Sequence, residues 1–204
     1  MFDYFAQHPM QGVKYIVMII LAIIVFFLYR SIKTGDGKIF GSQKAENLLK
    51  NEFKIIDENT FSPHRDDYRL IVGMCIRTQT QLEKEKYPNK AFLKLPDAKR
   101  YAMTLGYVFE DSQVVVSNFF RSNGEPLLSC GDEAFRNVIG GELAEIFGRG
   151  FNMFDESNEN VSVLEADVER LDREFSEYMK ENKEAVYKKC ADYIRDNRQV
   201  FLSE

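Results

Sequence analysis

Few side chains in this chain carry reactive chemistry, and their spacing is poor for catalysis. There are two histidines, His8 and His64. His64 follows Pro63 in a polar stretch, and no second histidine stands at a metal-ligand spacing from it. The three cysteines, Cys75, Cys130 and Cys190, are far apart and sit among apolar residues. That pattern reads as small buried hydrophobes, not as a disulfide framework or a zinc site. A Cys-His dyad would have to use His64, and nothing local supports one. Gly140, Gly141, Gly148 and Gly150 lack the Lys-Ser/Thr of a phosphate loop, so they read as helix packing or a helix break. No catalytic residue, metal ligand or cofactor site is therefore expected.

Carboxylates are the remaining chemistry. Val161 to Met179 reads as an amphipathic helix, with Leu164, Val168, Leu171, Phe175 and Tyr178 spaced four, three, four and three apart. Its other face carries Glu165, Asp167, Glu169, Asp172, Glu174 and Glu177. Such a stripe is either a solvated outer face or a docking surface for a basic protein partner. Of the six, Glu165, Asp167, Glu169, Asp172 and Glu174 are the candidate docking residues. Spaced carboxylates on a helix can also approximate a phosphate array and so attract a nucleic-acid-binding protein. No basic patch with interleaved aromatics is present, so direct nucleic-acid binding is not expected.

The net charge of -5 is unevenly spread. The first 41 residues hold four basic and two acidic side chains, which leaves about -7 for the rest. Val13 to Tyr29 (VKYIVMIILAIIVFFLY) contains one charge, Lys14. At about 1.5 Å per residue it spans about 25 Å, the short end of a transmembrane helix. No small-x-small cleavage site follows, so it reads as an uncleaved anchor that meets the lipid bilayer. Arg30, Lys33, Lys38 and Lys44 follow the apolar run, and the positive-inside rule then puts the C-terminal side in the cytoplasm. The expected localisation is the cell membrane, single-pass.

The expected organisation is a tail at 1–12, a transmembrane anchor at 13–30, a Gly-rich linker at 31–42 and a helical domain at 43–204. The fold class is all-α, with one N-terminal membrane helix and five to six helices in the domain. The patterns predict helices over Gln43–Ile55, Arg65–Lys86 and from Asp97 through Phe109. Tyr87-Pro88-Asn89 reads as a breaker. Val114-Val115-Val116 fits a strand or a buried helical segment equally. A further helix follows Gly131-Asp132-Glu133, and Val161–Met179 and a last helix from Asn182 close the domain.

Several short stretches occur in a telling order. Leu95-Pro96-Asp97-Ala98-Lys99-Arg100-Tyr101 precedes a helix. Asn118-Phe119-Phe120-Arg121-Ser122-Asn123-Gly124 and Glu133-Ala134-Phe135 come next. Leu171-Asp172-Arg173-Glu174-Phe175 and Asp192-Tyr193-Ile194-Arg195-Asp196-Asn197 close the series. Over roughly residues 65–201 this order resembles the DNA-mimic protein family, a bacterial helical domain. Glu110 to Val115 lacks the glycines usual in that family just before the double Phe. Asn118, Phe119, Phe120, Asn123 and Gly124 match its aromatic motif. The resemblance implies an all-helical domain without enzymatic chemistry that binds a protein through an acidic surface. Two other roles stay open: an immunity or inhibitor protein that neutralises a toxin, and a membrane-proximal enzyme with an unrecognised site.

Overall fold

The structure, a computed structural model, describes residues 43–113, 115–154 and 164–202, all within the compact unit Ser42–Glu204. Its elements are α1 (Gln43–Glu52), a 3-10 turn (Glu58–Phe61), α2 (Asp67–Leu82), α3 (Pro88–Phe92) and α4 (Asp97–Asp111). Then come α5 (Ser117–Ser122), α6 (Leu127–Ala134), a π turn (Phe135–Ile139), α7 (Gly141–Phe154), α8 (Glu165–Asp196) and α9 (Arg198–Leu202). Every regular element among the described residues is helical, as the hydrophobic spacing predicted.

Two expectations need correction. Among the described residues no helix is long and apolar enough to cross a membrane. The longest, α8, has the length but carries acidic and basic residues along its whole course, and lipid would not solvate them. Among the described residues the fold class is thus all-helical, without a membrane-spanning helix. The run Val13–Tyr29, with the expected tail, anchor and linker, lies outside the described residues. The second correction concerns number: nine α-helices are described, not five to six. Pro88 starts α3 instead of merely breaking α2, because proline at a first helical position has no N–H to leave unpaired. Val115 and Val116 join no strand; Val116 is buried and leads into α5. In α8 the two expected helices run on as one. Asn182 donates its side-chain amide to the Tyr178 carbonyl and does not start a new helix.

Side chains from elsewhere complete the helix ends. Asp66 caps α2 by accepting from Arg69 N at 2.7 Å. The last carbonyls around α1 are covered by Arg77, which donates to the Phe53 and Lys54 carbonyls at 3.1 and 2.7 Å. Glu52 accepts from Arg69 and Arg65, and the Arg69 hydrogen bond above all holds its carboxyl below the usual range. Between the π turn and α7, Gly140 and Gly141 both have positive φ, near 64° and 62°. A Cβ at either would meet open space, so the backbone conformation and not close packing requires glycine there.

The core sits where α4 packs against α2, α6 and α8. Gly106 of α4 lets that helix approach α2, since a Cβ there would lie 2.4 Å from Cys75 Cβ. A second part of the core is aromatic. Phe135 stacks on Phe147 of α7 with centroids 3.9 Å apart, and Phe119 and Phe120 of α5 pack on the same ring. Phe175 of α8 also packs near Phe135, with centroids 6.3 Å apart. This cluster seats α8 against α7, which fixes the groove described next.

Candidate functional site

An α-helix turns about 100° per residue, so the five candidate docking residues cannot share one face. Glu165, Glu169 and Asp172 fall within about 60° of one another, while Asp167 and Glu174 point nearly the opposite way. The contacts agree. Glu165 is exposed and pairs with Arg121 at 3.3 Å. Glu169 is exposed. Asp172 is turned inward and accepts from Ser117 N at 2.8 Å and from Ser117 Oγ at 2.7 Å. Val116, at the N-cap position of α5, has no side-chain acceptor, so Asp172 supplies the cap from α8. Its task in the structure is to hold α5.

Asp167 and Glu174 line a groove of about 920 Å³ between α7 and α8. Glu142 and Glu145 of α7 and Glu177 and Glu181 of α8 line it too. Ile146 and Leu171 lie beneath it, 3% and 2% exposed, and half-buried Met153 and Tyr178 supply its apolar surface. Arg149 and Arg170 are the basic residues in the lining, and both are committed, Arg149 to Glu174 and Arg170 to Asp167. Six carboxylates against two guanidiniums leave the groove near -4. Glu142, Glu145, Glu177 and Glu181 carry that surplus. The sequence held the signal: Glu174, Glu177 and Glu181 are spaced three and four apart, as are the apolar residues they flank. Glu142 and Glu145 sit three apart on the polar side of α7.

A second cluster lies at the C-terminal end of α4. Tyr68 of α2 donates its hydroxyl proton to Glu110, and Gln113 donates to Glu110 at 3.2 Å. Burial raises the Glu110 pKa, outweighing those two donors. Asp111 is raised by burial as well, against the hydrogen bond it accepts from Asn123 Nδ2 at 2.7 Å. Burial and then the Glu110 contact push the Tyr68 phenol far up. A carboxylate with a raised pKa is general-base chemistry in principle. Here its oxygens are occupied by the fold's own donors, and the contact ties α2 to α4. Beside it a cleft of about 580 Å³ is lined by Ser112, Lys180, Lys183 and Tyr187, and burial moves the Tyr187 phenol up to about 12.

All three thiols are buried, and burial drives each away from thiolate: Cys130 to about 11, Cys75 and Cys190 further. His64 is exposed in the loop before α2. Among the described residues no group of three or more His, Cys, Asp or Glu is placed to hold a metal ion. In the aromatic motif, Phe119 and Phe120 are core, and Asn123 bonds Asp111 and the Phe119 carbonyl. Asn118 is half-buried and Gly124 is exposed. Phe119, Phe120 and Asn123 thus hold α5 in place. No protein-family model, curated protein or solved structure matches the chain.

Proposed function

We propose that this chain is a protein-interaction module that takes a basic, amphipathic segment of a partner protein into the groove between α7 and α8. One observation carries the reading. The groove's arginines are already neutralised within the chain, so among the described residues four carboxylates stand without a basic partner, beside the half-buried Met153 and Tyr178. Uncommitted charge at a rim steers a partner of opposite sign, and Met153 and Tyr178 give its apolar side chains somewhere to bury. A nucleic-acid-binding protein, whose own surface is basic, belongs to the class that fits. The family resemblance points the same way, but the groove geometry is the argument.

A fluorescently labelled amphipathic Lys/Leu helix, titrated into the full-length chain, tests this by polarisation. Each exposed ion pair is worth about 0.5 kcal/mol, so neutralising three groove carboxylates weakens binding about tenfold. E145Q/E177Q/E181Q is that variant. Binding also weakens with salt, because the charges are solvent-exposed. Equal affinity for wild type and the triple variant, with unchanged circular dichroism, refutes the proposal.

A further inference from the structure

We infer that a second copy of this chain can fill the groove, and that the part it inserts is the lysine-rich projection Lys84–Lys94. This rests on the groove being a docking site, and it adds the partner.

The projection stands out against the acidic chain. Lys84, Lys86, Lys90 and Lys94 face a single acid, Glu85, giving +3 in a molecule of net charge -5. Among the described residues no carboxylate pairs with any of these four lysines. Instead the ammoniums of Lys86 and Lys90 sit over the Tyr87 ring, 5.3 and 5.4 Å from its centroid. Tyr87 and Leu93 are each 58% exposed, which is unusual for large apolar side chains. Phe92 and Leu82, at 3% and 6%, anchor the segment to the core, so Tyr87 and Leu93 are presented from a fixed base.

The two surfaces have complementary chemistry. The projection is two exposed apolar side chains ringed by unpaired cations. The groove sets half-buried Met153 and Tyr178 among six carboxylates, four of them unpaired among the described residues, near -4 against +3. A single acidic cluster, or a single run of lysines, would say little. Both on one chain, each without an opposite charge among the described residues and each with apolar side chains beside it, point to a contact between copies. Because the two patches differ, the contact is head-to-tail and leaves every pair with one free groove and one free projection.

Sedimentation of the full-length chain in nonionic detergent tests this, with variants K84E/K90E (projection) and E177K/E181K (groove). Wild type associates with concentration, and its dissociation constant rises about tenfold or more from low to high salt. Each variant alone is monomeric. Mixed, they form a 1:1 heterodimer that grows no further, since one supplies the groove and the other the projection. Association that survives in either variant alone overturns the inference, as does a wild type that stays monomeric. If wild type is monomeric yet the Lys/Leu peptide binds and E177K/E181K abolishes that binding, the self-contact fails and the groove reading stands. If the peptide fails too, both fall. A labelled oligoglutamate or oligonucleotide that binds wild type but not K84E/K90E, without self-association, assigns the projection to a foreign anion and also overturns the inference.

Discussion

Replacing Asp172 by Ala separates structure from docking on a single helix. Asp172 accepts from the backbone N–H and the hydroxyl of Ser117, at 2.8 and 2.7 Å. These are the contacts that begin α5, whose own N-cap residue, Val116, contributes no acceptor. A hydrogen bond to a charged group contributes about 1.5–3 kcal/mol. The hydroxyl can turn to another acceptor, so the loss is nearer one such bond and part of the second, about 3 kcal/mol. For a domain of this size each kcal/mol moves the melting temperature by about 2–4 °C, so D172A melts about 6–12 °C lower. Asp172→Asn keeps one acceptor oxygen and loses about half of that. Thermal melting by circular dichroism reads the shift, and the Lys/Leu peptide titration on the same samples reads docking. Below its melting temperature D172A binds the peptide as wild type does. A D172A protein that melts normally but has lost the peptide would refute this orientation of α8.

Two further outcomes follow from burial. Native protein at neutral pH leaves Cys75, Cys130 and Cys190 unreactive toward a thiol reagent such as DTNB, and all three react once guanidinium unfolds it; rapid labelling of one thiol in the native state contradicts the placement. Glu110 has a native pKa raised above its ordinary 4.5 by burial, so the native state binds its proton more tightly. Its contribution to stability is full below that ordinary value and is lost as pH rises through the raised one. Glu110→Gln therefore becomes more favourable relative to wild type as pH rises from about 4 to 7, measured by urea unfolding; a pH-independent difference rules this out.

Helix types were legible where the apolar period was long. The spacing of Val168, Leu171, Phe175 and Tyr178 marked α8, and the Leu-Pro-Asp at 95–97 marked the start of α4. The short helices were hidden. Val115-Val116 carries strand propensity, but burial of Val116 and capping of Ser117 from α8 override it. A cap supplied from 55 residues away leaves no local trace. The same limit applied at the site. A stripe of acids was plain in the sequence, but which of them are already engaged depends on Ser117, Arg121 and Arg149, on other elements.

The acidic residues of α8 are not equally free for the proposed docking, as the partners of each show. Asp172 has its capping bonds and Glu165 its arginine, and both sit on the face away from the groove. Asp167 and Glu174 line the groove but are held by Arg170 and Arg149, which they must release before they serve a partner. Glu177 and Glu181 need no release, and the two glutamates of α7 face them from the other wall. An incoming cation gains most at carboxylates that have nothing to give up. Glu142, Glu145, Glu177 and Glu181 are therefore where a substitution should weaken binding most and melting temperature least. Asp172 should show the reverse, and that opposition between two sides of one helix distinguishes a docking groove from ordinary surface charge.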